Sequence, residues 1–149
     1  MPLSQSQLQR VQRMTRDEWE SEKELWQFLE AVTDPEELHL YADGFNWDTG
    51  VEMMRRVIRH ELCDRGTALL IYWRGAPGYY ARYADRSETP NPDQEDIYDL
   101  LREIEQKISN HQFRTRRFHY DPKSDRGHDI TTKYSNVTQR RPIPAEMFG

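Results

Sequence analysis

The sequence predicts a mainly α, single-domain protein, a helical bundle in which helical hairpins stack in an armadillo-like arrangement. Apolar residues recur at helical spacing in most segments, and helix-starting residues precede these segments. Two similar corners, at residues 46–50 and 63–66, each lead into a further apolar run. Because a chain of 149 residues is most simply one domain, we expect a single domain over residues 1–149.

The first two predicted helices differ in how clearly their sequences show an amphipathic pattern. Residues 5–19 are polar, with Leu8, Val11 and Met14 at steps of three, which predicts a weak amphipathic helix that is frayed within residues 1–20. Residues 22–32 form a better amphipathic pattern, with their apolar side chains mostly on one side. These side chains are Leu25, Trp26, Phe28, Leu29 and Val32.

A strong start signal opens the third predicted helix. Thr33 or Asp34 is suited to cap it, and Pro35 suits its first position. The two glutamates that follow favour the positive end of the helix dipole. This helix is predicted to stop at residues 43–44, where an aspartate and a glycine follow its apolar face.

The two corners share a pattern of an apolar residue, an aspartate, any residue and a glycine. Asp48 and Asp64 are predicted N-caps, each worth about 1 kcal/mol. Gly50 and Gly66 then fall in the first helical turn, where glycine costs up to about 1 kcal/mol relative to alanine. We therefore expect another group to pack closely against each glycine. The residues before the caps, Trp47 and Cys63, are expected to point inward.

Each corner predicts a helix after it. Apolar residues recur at helical steps from residue 51 to residue 62, whereas residues 68–73 are apolar all round. Periodicity does not separate a buried strand from a buried helix in the second run. The capping sequence at Asp64 and the alanine and leucines that follow favour a helix, which ends before the loop at residues 75–78.

The second half of the chain is less regular. Residues 79–96 are predicted to be largely irregular, and residues 92–110 carry the clearest amphipathic helix of the sequence. An imperfect alternation over residues 113–120 indicates one short strand. Residues 121–149 are predicted to form an irregular tail, pinned to the domain by Ile143, Met147 and Phe148.

Charge is unevenly distributed along the chain. The net charge of −5 opposes nonspecific attraction to nucleic acid. Residues 17–48 contain many carboxylates and the single base Lys23, whereas residues 114–141 are rich in arginine and lysine. Two interpretations stay open: the segments attract each other across the fold or are simply solvated, or the acidic segment forms a surface that steers a basic partner.

Composition also predicts where the protein resides. A lone cysteine, Cys63, excludes an internal disulfide bond and is typical of a reducing compartment. The chain opens with polar residues and contains no run of about 18 apolar residues, so no membrane span is expected. The sequence therefore predicts a soluble, cytoplasmic protein.

The sequence predicts neither a catalytic set nor a site for a metal or cofactor. No histidine is placed with Cys63 or another histidine at the spacing of metal ligands. Asp64 beside Cys63 is expected to raise the thiol pKa, which disfavours a nucleophilic role. The loop at residues 75–78 lacks the lysine of a phosphate-binding loop. We therefore expect a protein that is not an enzyme.

Residues for partner binding are predicted on two segments. Tyrosines cluster around the loop after residue 75, and tyrosine is enriched at binding hot spots. The alternative is that these rings only cap the edge of the core. The predicted contact residues are Glu36, Asp43, Tyr79, Tyr80, Tyr83 and Asp85.

The motifs carry a resemblance to a known family. The order Asn46-Trp47-Asp48-x-Gly50, then Cys63-Asp64-x-Gly66-Thr67-Ala68-Leu69, resembles an uncharacterised family of small bacterial proteins with this signature. The close match covers residues 34–74 and extends to about residue 120. Arg65 departs from the more apolar residue expected there. Some members of that family are similar to immunity proteins encoded beside bacterial toxins.

The resemblance implies an immunity-type protein that binds a cognate toxin and occludes its active site without catalysis of its own. A helical adaptor or regulatory module is the alternative from another class. A third hypothesis is nucleic-acid binding through residues 114–141, with Phe113, Phe118 and Tyr120 stacking on bases.

Overall fold

The computed structural model describes residues 2–16 and 21–149, and its described part is built from α-helices, with 3₁₀ turns and loops between them. The helices are listed here in chain order. They are α1 (Gln5–Thr15), α2 (Glu22–Ala31), α3 (Pro35–Asp43), α4 (Glu52–Arg59), α5 (Arg65–Arg74), α6 (Pro77–Tyr80) and α7 (Pro92–Ser109). Four 3₁₀ turns lie at Trp47–Thr49, Arg86–Glu88, Pro122–Ser124 and Ala145–Phe148. The end predicted for the first helix, residues 17–19, lies outside the described residues.

Alternate helices form a continuous layer. Helix α3 packs between α1 and α5, and α5 packs between α3 and α7. The remaining helices pack against this layer: α2 contacts α1, α4 contacts α3 and α5, and α6 contacts α5. This is the predicted stack of helical hairpins in one mainly α domain. No helix among the described residues is long and apolar enough to cross a membrane.

Side-chain caps explain where several helices begin. Ser4 and Gln7 form a reciprocal capping box at the start of α1. Asp34 and Glu37 do the same for α3, with Pro35 at its first position as predicted. The Glu37 carboxylate is fully buried and also accepts a hydrogen bond from Arg10 Nη2 at 2.6 Å. That buried contact ties α1 to α3.

Helix α5 is the centre of the core, as its all-round apolar sequence predicts. Every residue from 66 to 73 is buried. The choice of a helix rather than a strand for this run is confirmed. Asp64 caps α5 by accepting a hydrogen bond from Gly66 N at 2.9 Å, which confirms its predicted role.

Asp64 has a second role that no local pattern shows. Its carboxylate is fully buried and also accepts hydrogen bonds from the Thr115 hydroxyl, from Arg117 N at 2.6 Å and from Phe118 N at 3.1 Å. Residues 110–149, here called the strap, follow α7 and return across the helices. Asp64 therefore both caps α5 and clamps the strap.

Gly66 packs closely against the strap. A Cβ atom at this position would lie 2.0 Å from the Phe118 carbonyl oxygen, well inside any tolerated contact. The predicted close approach to this glycine is confirmed, and the approaching group is backbone.

The first corner is built differently from its prediction. Asp48 is exposed and lies inside the 3₁₀ turn Trp47–Thr49, which is capped by Asn46 instead. Gly50 precedes α4, and nothing lies within 4 Å of a Cβ built on it. It is needed for its φ of +93°, which disfavours other residues. Trp47 is half-buried rather than inward-pointing. The prediction that Asp48 caps the following helix is therefore wrong, and the two corners differ more than their similar sequences indicate.

The strap contains no strand among its described residues, so the strand predicted near residues 113–120 is wrong. The backbone there is hydrogen-bonded to α5: Arg65 N donates to Thr115 O, and the next amides donate to Asp64. The predicted pinning of the tail is confirmed by Met147. This residue is fully buried, and its carbonyl accepts a hydrogen bond from Trp73 Nε1 at 2.6 Å.

Two further predictions need correction. Residues 79–96 are not irregular throughout, because the short helix α6 reaches Tyr80. The start of α7 at Pro92 matches the helix predicted over residues 92–110. Trp26 was placed on the buried side of α2, but its side chain is 41% exposed and lies under the Arg56 guanidinium, whose Cζ is 3.4 Å from the ring centroid. The stacked cation stabilises the exposed ring.

Candidate functional site: an aromatic cleft beside α5

A cavity of about 320 Å³ opens beside the C-terminal end of α5. We call it the aromatic cleft. The helical domain contributes one side of it, and the strap contributes the other. Its aromatic walls are Phe45, Trp47, Trp73 and Tyr134, and its charged residues are Asp43, Arg74, Asp125, Arg126 and Lys133. Its volume and its mixture of aromatic and convergent polar groups are typical of binding sites.

The loop after α3 carries two of the aromatic walls. Helix α3 ends at Asp43, and the chain then turns so that Phe45 and Trp47 meet edge to face, with ring centroids 5.7 Å apart. The Asn46 side chain caps the turn that holds Trp47. Edge-to-face contact of this kind adds about 1 kcal/mol beyond the burial of the rings.

The floor of the aromatic cleft is an ion-pair network around Arg74, the last residue of α5. Its Nε and Nη2 donate to the two carboxylate oxygens of Asp125 at 3.1 and 3.0 Å. Its Nη1 donates to the carbonyl oxygen of Asp43 at 2.7 Å and lies equally close to the Asp43 carboxylate. The guanidinium therefore ties the ends of α3 and α5 to the strap.

Asp125 is held ionised by its partners. Its burial opposes ionisation, but hydrogen bonds from Arg74 and from the Tyr120 hydroxyl outweigh burial, so its pKa lies below the ordinary range. Burial, reinforced by the hydrogen bond to Asp125, raises the pKa of Tyr120. Tyr120 therefore stays a neutral donor.

Replacing Asp125 with asparagine is expected to lower the free energy of unfolding by about 2 kcal/mol near neutral pH, because Arg74 loses its bidentate partner. The folded pKa of Asp125 is depressed, so the stability that it contributes is full above its unfolded pKa of about 4 and is lost as the pH falls below it. Urea unfolding of the wild type and of Asp125→Asn, from neutral pH to below about pH 4, measures the difference in their free energies of unfolding. A difference that stays constant or grows in acid would contradict the ionised pairing.

The strap wall of the aromatic cleft is positioned by a glycine. A Cβ atom on Gly78 would lie 3.1 Å from the Tyr134 Cβ, so the strap packs tightly on the start of α6. Tyr134 also meets Tyr79 edge to face, with centroids 5.8 Å apart. The wall of the cleft therefore continues into the tyrosine cluster that the sequence singled out.

The predicted contact residues do not form one patch. Asp43 lines the aromatic cleft, and Tyr79 touches its wall. Tyr83 is near Tyr79, with their hydroxyls 3.5 Å apart, while Tyr80 is buried. The other two residues are Glu36, which lies at the opposite end of α3, and Asp85, which is exposed and caps the turn Arg86–Glu88.

The acidic and basic segments pair with each other at several points. Arg117 bonds to Asp34 at 3.0 Å and lies 3.8 Å from Glu36. Arg126 Nη2 lies 2.7 Å from the Asp43 carbonyl oxygen and 3.2 Å from its carboxylate. These contacts favour attraction across the fold over a free acidic surface. Asp17, Glu18 and Glu20, at the start of the acidic segment, lie outside the described residues.

His39 and Cys63 both lie in buried surroundings that suit a structural role. His39 Nδ1 lies 2.8 Å from the Thr67 hydroxyl, its ring stacks on Phe118 at 4.5 Å, and burial lowers its pKa. Burial, and then the charge of Asp64, raises the pKa of Cys63 to about 12, in the predicted direction. No group of three potential metal ligands occurs within residues 2–16 and 21–149.

Several residues of the cleft escaped the sequence analysis because their partners are distant in the chain. Arg74 and Asp125 are 51 positions apart. Trp47 is predicted to point inward because it precedes a predicted cap, yet it is half-buried. The positive φ of Gly50, three positions further along, becomes visible only in the structure.

The comparisons with known proteins agree with the signature. A family model, described as a domain of unknown function (DUF4274), matches residues 33–109. This range runs from the start of α3 to the end of α7 and leaves the whole strap outside the match. Neither the curated proteins nor the solved structures include a match to the chain. Because the model covers more than half of the sequence, the chain belongs to the DUF4274 family.

Proposed function

We propose that this protein is a non-enzymatic binding protein of the immunity type, which holds a cognate bacterial toxin through the aromatic cleft and occludes the toxin's active site. The observation that carries the proposal is the cleft itself. Tryptophan, tyrosine and arginine are the residues most enriched at binding hot spots, and the cleft gathers them around one open cavity of about 320 Å³. The toxin as partner rests on the family resemblance.

The rigidity of the cleft supports a binding role. Its floor is held by the Arg74–Asp125 pair, and its walls by Gly78 packing on Tyr134, so the aromatic rings are preorganised. A rigid site of this kind loses little conformational freedom on binding. Trp47 is half-buried, so part of its ring remains accessible to a partner.

Nucleic-acid binding is less well supported. Three arginines of the basic segment already pair with carboxylates of this chain: Arg117 with Asp34, Arg126 with Asp43, and Arg140 with Glu88. A phosphate backbone would have to compete with these pairs. Phe118, one of the proposed stacking rings, already stacks on His39.

Coexpression with the product of the adjacent gene tests the proposal. We expect a stable complex on size-exclusion chromatography and rescue of cells from that product's toxicity. Trp47→Ala is expected to weaken the complex at least about tenfold, because a central aromatic contact is worth about 2 kcal/mol or more.

Leu8→Ala is the control, since Leu8 is an apolar residue with an accessible side chain that lies on α1, away from the cleft. Urea unfolding of both variants verifies that they are folded. Absence of a complex and of rescue would refute the toxin as partner. A neighbouring gene without any toxin product would favour the helical adaptor.

A further inference from the structure

We infer that the aromatic cleft and the pocket next to it form one groove that binds an extended, acidic peptide segment of a partner protein. This inference rests on the proposed binding function and specifies the chemistry of its partner. The segment would place large apolar side chains in two cavities and a carboxylate beside Arg126 and Lys133.

The groove consists of two cavities that share a wall. Phe45 lines the aromatic cleft on one side and an apolar pocket of about 370 Å³ on the other. The apolar pocket lies between α2 and α4 and is walled by Leu25, Trp26 and Met53. Alternate side chains of an extended chain point to one face about 7 Å apart. Two cavities, each large enough for a large apolar side chain and both lined by the Phe45 ring, suit such a segment.

The exposed rings support a partner on this face. Trp26 is 41% exposed although it is the largest type of apolar side chain, and the guanidinium of Arg56 stacks on it. Burying the remaining exposed surface of such a ring contributes favourably to binding. Trp26 and Trp47 lie on either side of the Phe45 ring, one in each cavity.

The charges of the aromatic cleft favour a partner carboxylate at that end of the groove. The lining of the cleft has two carboxylates against three cations, whereas the charged residues of the apolar pocket are Glu22, Glu52 and Arg56. Both oxygens of Asp125 accept from Arg74 or Tyr120, and Asp43 accepts from Arg74 and Arg126. The carboxylates are therefore already neutralised inside the protein.

Two cations retain donors for a ligand. Nη2 is the only nitrogen of Arg126 that donates within the described part of the chain. Lys133 is exposed and forms no ion pair with a carboxylate among residues 2–16 and 21–149; its Nζ lies 5.7 Å from the Tyr134 ring centroid. A carboxylate of the partner would meet the ammonium of Lys133 and the remaining donors of Arg126 next to an aromatic wall. This is the opposite sign to the partner that the acidic segment alone predicts.

Selection of random 12-residue peptides displayed on phage, with the full chain as bait, tests this inference. We expect the enriched peptides to share an acidic residue and two large apolar residues at alternate positions. A synthetic peptide of that sequence is expected to bind at least about tenfold more weakly to Lys133→Glu and to Trp26→Ser, because each variant removes one of the proposed contacts.

The matched control is Lys123→Glu, which makes the same charge change at an exposed strap residue outside the groove and should bind as wild type does. Failure to enrich any peptide, enrichment of basic peptides, or equal binding to all the variants would overturn the inference. Enriched sequences that match this chain would overturn it too, by assigning the groove to a second copy.

The failures of the two proposals are distinguishable. A toxin complex that Lys133→Glu and Trp26→Ser leave unchanged refutes only the peptide groove. Acidic peptides that bind the groove while the adjacent gene product does not bind refute only the toxin as partner.

Discussion

Gly66→Ala is expected to lower the free energy of unfolding by about 3 kcal/mol, one of the two largest effects in this chain. On helix propensity alone, alanine at this position in the first turn of α5 would stabilise the protein by up to about 1 kcal/mol. The packing reverses that sign, because the new Cβ would lie 2.0 Å from the Phe118 carbonyl oxygen. Either the strap or the start of α5 must then move. Urea unfolding measures the change.

Gly50→Ala is the control for this prediction. The φ of +93° and ψ of −179° at Gly50 lie in a region essentially confined to glycine, so alanine costs about 1–3 kcal/mol there. Nothing lies within 4 Å of the added Cβ, however, so the strap should stay in place. A Gly66→Ala protein as stable as the wild type would show that the strap does not press on α5 at this point.

Asp64→Asn is expected to cost about 3 kcal/mol. The buried carboxylate accepts from Gly66 N, Arg117 N and Phe118 N and from a hydroxyl. An asparagine amide turns two N–H groups towards these donors, so at least one buried donor is left without an acceptor. Amide hydrogen exchange should accelerate at Arg117 and Phe118 in particular.

Asp48→Asn tests whether the two signature aspartates differ as the structure indicates. Asp48 is exposed, and its substitution is expected to change stability by less than about 0.5 kcal/mol. Equal losses for the two aspartates, or unchanged exchange at Arg117 in Asp64→Asn, would contradict the clamp.

The elements that depend on local sequence are the ones that the sequence predicts correctly. Helical spacing and caps predicted α3, α5 and α7, because each depends on residues within a few positions of one another. Asp64 was recognised as a cap for the same reason. The sequence does not reveal that Asp64 also clamps the strap, because its partners there lie more than 50 positions further along the chain. These partners are Thr115, Arg117 and Phe118.

The failures have specific physical causes. A glycine two residues after an aspartate looks the same whether it is packed in a helix, as Gly66 is, or adopts a positive φ before one, as Gly50 does. Residues 113–120 alternate like a strand in sequence, but the amides of Arg117 and Phe118 donate to the Asp64 carboxylate rather than to a neighbouring strand. Among the residues that line the cleft, only Asp43 is predicted from the sequence as a contact residue. The Arg74–Asp125 pair is visible only once the fold brings these two distant residues together.

The contacts that hold the strap and the aromatic cleft lie at opposite ends of α5. Its N-terminal end carries the signature residues Asp64 and Gly66, which hold the strap. Its C-terminal end carries Trp73 and Arg74, which line the aromatic cleft. Asp64 and Gly66 thus belong to the frame of the fold, and we propose that the cleft binds the partner.

Mapping of amide chemical shifts during titration with the adjacent gene product tests this division most directly. The largest changes are expected at the cleft, in Phe45, Trp47 and Tyr134, with little change at Gly66 and Phe118. Changes confined to the Asp64 clamp or to the start of α3, with none around the cleft, would contradict the assignment.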